Sequence, residues 1–158
     1  MDGVVIRRAR MEDCAGICAA HLASIRGLCS RDYTPEQIES WCVGKTPELY
    51  APLLDQYIWY VAEARGEIGG FGQLDPALAE IRGLYLAPGF VGRGVGAALM
   101  DRMLADARAG GAKRVILKGT LTPEPFYRRC GFVVTERTVH RSRGGLDIPS
   151  VLMELILK

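Results

Sequence analysis

The sequence predicts an α/β (α+β) fold, in which a mixed, twisted central sheet of about seven strands carries helices on both faces. Two observations predict it. Short runs rich in β-branched and aromatic residues are interspersed with segments of helical periodicity along the whole chain. No internal repeat, low-complexity segment or linker-like Pro/Ser/Gly tract divides the 158 residues, so we expect one domain over residues 1–158.

The first third of the chain is predicted to form one strand and then helices. Val4–Ala9 has strand composition, and a helix is expected over Glu12–Leu28. The apolar face of that helix has spacings of four and three residues and consists of Cys14, Cys18, His21, Ile25 and Leu28. A capping box at Thr34, with Gln37 three residues later, starts a helix that runs to about Val43. Thr46-Pro47 starts another helical segment toward Leu54.

The middle of the chain changes to strand composition. Tyr57–Ala62 is aromatic and β-branched, and Ile68–Leu74 returns after a turn at Arg65-Gly66. Glu80–Leu86 is the next predicted strand. These three segments follow one another with short connections, which favours neighbouring positions in the sheet.

The last third alternates again. A helix is predicted over Gly94–Ala109, because apolar residues form one stripe and a Gly-Gly pair follows. Val115–Leu117 is a short buried strand and Pro123–Arg129 a short helix. Phe132–His140 and Ile148–Leu157 are predicted as two closing strands around a glycine turn.

Charge and cysteine usage exclude some classes of function. Twenty basic and 18 acidic residues give a net charge of +2, so no global field favours nucleic acid or an anionic membrane. The longest segment without a charged residue, Cys14–Ile25, is shorter than the roughly 20 residues of a membrane span. Five cysteines at irregular spacings, without a secretion signal, favour reduced thiols and a cytoplasmic location.

Glycine, with 19 residues, is in excess, and four glycines cluster between a predicted strand and a predicted helix. They are Gly89, Gly92, Gly94 and Gly96. Glycine allows backbone N–H groups to approach an anion closely, and a helix N-terminus adds free donors and the positive end of its dipole. The segment therefore predicts a pyrophosphate site, to which Arg93 could add a charge-assisted contact.

This loop has three other interpretations. A Walker A loop requires Gly-Lys-Ser/Thr, whereas Gly94 precedes Val95-Gly96. The dinucleotide fingerprint is satisfied loosely by Gly92-x-Gly94-x-x-Ala97, but the next strand ends in Lys118 rather than an acidic residue. Too few residues also follow for such a fold. The third interpretation is a glycine-rich turn without a ligand.

Two ordered motifs resemble the GNAT superfamily of acyl-CoA-dependent N-acyltransferases. The acyl-CoA signature, Gln/Arg-x-x-Gly-x-Gly/Ala, aligns on Val91–Gly96, with Val91 in place of Gln or Arg. The second signature, Asn-x-x-Ala-x-x-Phe-Tyr-x-x-x-Gly-Phe, aligns on Thr120–Phe132, where Thr120 and Pro123 depart from it. The resemblance extends to the predicted order of strands over most of the chain, and it implies a GNAT-like sheet.

The resemblance implies transfer of an acetyl group from acetyl-CoA to a primary amine by direct attack in a ternary complex, without a metal. It implies Tyr127 as the general acid for the CoA sulfur and Glu80 as a candidate base, with water as the alternative base. The implied cofactor contacts are the backbone of Leu84, Tyr85 and Leu86, the loop residues Val91, Gly92, Arg93, Gly94, Val95, Gly96 and Ala97, and Thr120, Phe126 and Arg129. A backbone N–H near Leu86 would polarise the acyl carbonyl.

The acceptor is not readable from the sequence. A small-molecule amine and a peptide or protein amine both stay open, and dimers are common in the superfamily. The connection Arg26–Tyr33 and a basic run from Arg137 to Arg143 are expected near the acceptor pocket. His21 is expected to pack in the core rather than to bind a metal with Cys14 and Cys18. A non-catalytic acyl-CoA-binding module and a nicotinamide-nucleotide-binding protein are the alternative functions.

Overall fold

The computed structural model describes residues 3–158, which form seven strands and five helices. The strands are β1 (Val5–Arg8), β2 (Ile58–Ala64), β3 (Glu67–Asp75), β4 (Glu80–Leu86), β5 (Arg114–Thr120), β6 (Val133–Arg141) and β7 (Asp147–Ile156). The helices are α1 (Cys14–Leu28), α2 (Pro35–Cys42), α3 (Pro47–Gln56), α4 (Val95–Ala109) and α5 (Glu124–Arg129). The predicted order of elements is confirmed, and the predicted bounds of Glu80–Leu86 are those of β4.

One mixed sheet contains all seven strands, in the order β1-β2-β3-β4-β5-β7-β6. Neighbouring strands are antiparallel except at β4 and β5, which are parallel and pair at only two positions. These positions are Glu80 opposite Ile116 and Ile81 opposite Leu117. Beyond them the two strands diverge, so the sheet is split at its centre by a wedge that opens toward the C-terminal ends of both strands.

Helices cover both faces of the sheet, as predicted. Helices α1 to α3 bury apolar residues such as Ile17, Tyr50 and Trp41 on one face, which we call the α1 face. Helices α4 and α5 pack Leu99 and Tyr127 against the other, the α4 face. Side chains alternate between the two faces along a strand, so those of β4 and β5 lie either on the α1 face or on the α4 face.

Three glycines of β3 allow close contact with neighbouring side chains. A Cβ atom on Gly69 would lie 2.0 Å from the Phe90 ring, and one on Gly72 would lie 2.7 Å from Met103 of α4. A Cβ atom on Gly70 would lie 2.5 Å from Leu86 of β4. Glycine at these positions therefore seats α4 and the turn that precedes it directly on the sheet.

Most predicted element boundaries are shifted by one or two residues, and two of the differences have identifiable reasons. Helix α1 begins at Cys14 rather than Glu12, because residues 11–13 form a 3-10 turn in which Asp13 accepts a hydrogen bond from the Arg10 amide at 2.7 Å. Strand β5 continues to Thr120, because it pairs with β7 along its whole length. Within residues 3–158, no helix combines the length and the apolar character that crossing a bilayer requires.

Candidate active site

The wedge between β4 and β5 exposes an unpaired strand edge inside the sheet. The Ala87 amide donates to the Gly69 carbonyl at 2.8 Å, so Ala87 and Gly69 form a hydrogen-bonded pair. Such pairs alternate along antiparallel strands, and the register therefore directs the backbone of Tyr85 toward β3. The N–H and C=O groups of Leu84 and Leu86 consequently face the wedge, where an extended ligand could pair with them.

Free backbone amides lie beside the wedge, in the loop from Val91 to the start of α4. Within residues 3–158, the amides of Gly92, Gly94, Val95, Gly96 and Ala97 donate to no backbone acceptor, and the first helical bond is made by Ala98 to the Gly94 carbonyl. Gly92 and Gly94 adopt left-handed conformations with φ of 77° and 78°. Left-handed residues in such a run turn successive N–H groups toward one point, which is the geometry of an anion site.

Several side chains hold this loop in place. The Phe90 ring occupies the space above Gly69, and the Arg93 guanidinium lies 5.5 Å from the centre of that ring. A Cβ atom on Gly96 would lie 3.2 Å from the Phe126 ring and 3.6 Å from Leu86, so α5 and β4 both contact the helix start. The structure therefore brings the predicted loop, Phe126 and Leu86 together, while the Val91 side chain is exposed.

Tyr127 lies on the α4 face beside β5. Its side chain is buried, its ring packs near Phe132, and a Cβ atom on Gly119 would lie 2.9 Å from it. Burial raises the pKa of Tyr127 well above its ordinary value, so the phenol stays protonated at neutral pH. Gly119 belongs to the part of β5 that has left β4, which places the Tyr127 ring next to the wedge.

Glu80 is separated from Tyr127. It lies at the closed end of the wedge, opposite Ile116, whereas the Tyr127 ring packs on Gly119, three residues along β5. At about 3.3 Å per residue the separation along the strand is about 10 Å. Ile81 belongs to the core on the α4 face, so its neighbour Glu80 belongs to the α1 face. A proton donor and a base at these positions would act on different sides of the sheet.

The two remaining predicted contacts differ in their surroundings. Thr120 ends β5 at the open end of the wedge and is half-buried. Arg129 is exposed on α5, and its neighbour Arg128 forms an ion pair with Glu124 at 3.1 Å. Arg129 makes no ion pair within residues 3–158, so its guanidinium is available to a nucleotide phosphate.

Tyr33 was expected only near an acceptor pocket, and the structure gives it a bracing role. Its hydroxyl accepts a hydrogen bond from the Leu121 amide at 2.9 Å and donates to the Pro149 carbonyl. The connection between α1 and α2 is thereby tied to the end of β5 and to β7. Burial raises the pKa of Tyr33 to about 12. No local pattern could have revealed these bonds, because the partners are 88 and 116 residues away.

Aromatic rings form the α1 side of the wedge. The Tyr85 ring lies with its centre 4.2 Å from that of His21 and 6.3 Å from that of Trp41. The His21 Nδ1 atom is 2.8 Å from the Tyr50 hydroxyl, while its Nε2 atom is buried and has no partner within residues 3–158. Burial lowers the pKa of His21 to about 3, so the imidazole is neutral at physiological pH.

The family profile of the acetyltransferase (GNAT) domain matches residues 29–156 of the sequence. The chain belongs to the GNAT acetyltransferase family. The GNAT chain is therefore an acyltransferase, and its seven-stranded sheet is the expected one.

Known proteins similar to this GNAT chain span nearly its whole length. The uncharacterized N-acetyltransferase YafP of Escherichia coli (strain K12) is 22% identical over 144 residues, which are 91% of either chain. A GCN5-related N-acetyltransferase from Rhodopseudomonas palustris has a TM-score of 0.91 and 29% identity, and the match covers 99% of this chain and 98% of that one.

A second similar structure was solved with a ligand. The PaiA N-acetyltransferase of Thermoplasma acidophilum, in complex with coenzyme A, has a TM-score of 0.79 and 21% identity. The match covers 98% of the GNAT chain and 99% of that protein. At this identity the likeness establishes a shared fold.

Proposed function

We propose that the protein transfers an acetyl group from acetyl-CoA to a primary amine by direct attack in a ternary complex in the cytoplasm. The observation that carries the proposal is the continuity of two features. The amides of Gly92, Gly94, Val95, Gly96 and Ala97 are free, and the unpaired edge of β4 leads to them. Coenzyme A has a matching order of groups, because its pyrophosphate is followed by an extended arm that contains amides. A GNAT relative was solved with coenzyme A.

The proposed contacts of acetyl-CoA involve the glycine loop, the edge of β4 and helix α5. The amides from Gly92 to Ala97 would bind the pyrophosphate, with Arg93 beside them. Leu84 and Leu86 would pair with the pantetheine arm as an added strand, and Phe126 and Thr120 would border it. Arg129 would meet the phosphate of the ribose. The Leu86 N–H faces the wedge and would polarise the acetyl carbonyl as negative charge develops on its oxygen.

The chemical step needs two proton transfers. The amine nitrogen forms a bond to the carbonyl carbon, the carbon–sulfur bond breaks, and the sulfur leaves with the bonding electron pair. Tyr127 would donate its hydroxyl proton to that sulfur, because its raised pKa keeps the phenol protonated. Glu80, directly or through water, would accept the proton that the amine loses on the α1 face.

Replacement of Tyr127 by Phe tests the catalytic assignment. Release of free CoA, followed with a thiol reagent in the presence of an amine panel, should fall at least a hundredfold in kcat. Acetyl-CoA should raise the Tm of the variant as much as that of the wild type, because the variant keeps the loop and the strand edge. A catalytically silent acyl-CoA-binding module would show no transfer in either protein.

A nicotinamide nucleotide is the weaker alternative ligand. The dinucleotide-binding fold needs a parallel sheet, whereas β4 and β5 are the only parallel neighbours within residues 3–158. Stabilisation by NAD(P) without stabilisation by acetyl-CoA in a thermal shift assay would overturn the acetyltransferase proposal.

A further inference from the structure

Three basic side chains lie on the α1 face of the sheet, and we call them the cationic rim. They are Lys45 between α2 and α3, Lys118 on β5 and Arg143 between β6 and β7. None of them forms an ion pair within residues 3–158. They come from three separate parts of the chain, so the fold and not a local sequence run assembles them.

Lys45 is the most constrained member of the rim. It is half-buried, and its ammonium donates to the Trp41 carbonyl at 2.6 Å. The remaining N–H groups of that ammonium have no protein partner within residues 3–158. Burial lowers the pKa of Lys45, which shows that a charge is held here with incomplete solvation. An anion would supply the missing interaction.

Arg143 is held next to Lys45 by the loop that carries it. A Cβ atom on Gly44 would lie 2.9 Å from Cδ of Arg143. The loop is clamped to the end of α2, because the Ser40 and Ser142 hydroxyls are 2.6 Å apart and the Gly144 amide donates to the Ser40 carbonyl at 3.1 Å. The backbone of Arg143 is therefore held beside the connection between α2 and α3.

His140 connects Lys118 to the same region. Burial lowers its pKa, and the positive charges of Lys118 and Lys45 lower it further. Lys118 follows Leu117, the last residue of β5 that pairs with β4, and the alternation of side chains places it on the α1 face beside the wedge. The charge of Lys45 also acts on His21. Of the acidic residues of this region, Glu39 is paired with Arg26 at 3.2 Å, whereas the charge of Glu48 acts on the Cys18 thiol together with that of Lys45.

His21 provides an unpartnered donor next to the rim. The Tyr50 hydroxyl lies 2.8 Å from Nδ1 of His21, and we assign its proton to that bond, which leaves the proton of the neutral ring on Nε2. A buried N–H without an acceptor is rare in folded proteins and indicates that a ligand or water completes it.

We propose that the cationic rim and His21 bind a carboxylate of the acceptor, so that the preferred acceptor is a small primary amine carrying a carboxylate, as in an amino acid. The inference rests on the proposed acetyl transfer and adds the class of acceptor. Lysine and arginine make charge-assisted hydrogen bonds to a carboxylate, whereas a diamine would place a second positive charge against them.

The test compares matched amines that differ only in the carboxylate. The panel consists of L-phenylalanine, L-leucine and L-lysine, each with its amide and its decarboxylated amine (phenethylamine, isoamylamine and cadaverine). CoA release is measured for the wild type and for Lys45→Met, Lys45→Gln and Lys45→Arg. Lys113→Met is the control, because Lys113 is an exposed lysine after α4 and outside the site.

The wild type should prefer at least one amino acid over both of its partners that lack the carboxylate by tenfold or more in kcat/KM. Lys45→Met and Lys45→Gln should raise KM for that amino acid at least tenfold and leave KM for the decarboxylated amine within twofold. Lys45→Arg should restore most of the preference, and Lys113→Met should behave as the wild type. Equal use of an amino acid and its decarboxylated amine, or an equal effect of Lys45→Met on both, would overturn the carboxylate subsite.

The two proposals fail in distinguishable ways. Absence of CoA release with every amine, in protein that acetyl-CoA stabilises, would refute acetyl transfer. The subsite would then be judged by thermal shifts of CoA-saturated protein. N-acetyl-L-phenylalanine should raise the Tm of the wild type but not of Lys45→Met, and N-acetylphenethylamine should raise neither. Equal shifts with the two compounds would refute the subsite.

Discussion

Gly92 lies in the proposed phosphate loop and Gly66 in the turn between β2 and β3, and their equal φ makes them a matched pair for testing that loop. Both have φ of 77°, and a Cβ atom at either position would meet nothing within 4 Å. Alanine therefore costs the same backbone strain at both, about 1–2 kcal/mol. For a chain of this size that strain lowers the Tm by about 2–4 °C per kcal/mol.

The two variants should separate in their affinity for acetyl-CoA. Gly66 lies in the turn between β2 and β3, whereas Gly92 carries the first of the five free amides of the loop. The open space at Gly92 is where an anion would approach these amides, so a methyl group there should cost at least one charge-assisted hydrogen bond. Such a bond contributes about 1.5–3 kcal/mol, which corresponds to binding weakened about ten- to a hundredfold.

Isothermal titration with acetyl-CoA gives the affinities, and thermal unfolding gives the strain. The expected result is a similar fall in Tm for Gly92→Ala and Gly66→Ala, with weaker binding confined to Gly92→Ala. Unchanged binding by Gly92→Ala, or equal weakening in both variants, would refute the assignment of the loop to the pyrophosphate.

Two further predictions concern stability. Tyr33→Phe removes a hydroxyl that two buried backbone groups use, so unfolding should become easier by about 1–3 kcal/mol in a urea titration, and a loss below about 0.5 kcal/mol would contradict the bracing role. The Arg7 guanidinium beside Asp13 holds the pKa of that carboxyl below its ordinary value. Its contribution is complete above the unfolded-state pKa of about 3.9 and is lost as the pH falls through the lower folded-state pKa. The stability difference between wild type and Asp13→Asn should therefore shrink in urea titrations taken from pH 6 to pH 3, and a constant difference would contradict it.

The elements that the sequence predicted correctly are those whose own residues show a clear composition or periodicity. Strand β4 and helix α4 follow from composition and periodicity, and the glycine loop between them follows from the glycines themselves. The capping box at Thr34 is present, since Gln37 and Thr34 exchange hydrogen bonds of 3.1 and 2.9 Å. The end of β5 was missed, because Lys118-Gly119-Thr120 has no strand pattern and becomes a strand only by pairing with β7.

The features that give the site its shape depend on contacts between distant residues. The split of β4 from β5 is visible only in their register, and Gly69 is explained only by the ring of Phe90. His21 was predicted to be a packing residue, and it does pack against Tyr85. Its bond to Tyr50, from another helix, has no counterpart in the sequence pattern. Side chains that meet across helices and strands leave no periodic signal.

The narrow junction of β4 with β5 has a consequence for acyl-group selection. Only two residue pairs join the halves of the sheet, so the opening angle is set by packing on either side, including the bonds of Tyr33 to the end of β5. A bulkier thioester needs a wider gap but the same backbone donors. Changes at bracing positions could therefore alter the size of acyl group admitted while every residue that touches the donor stays the same.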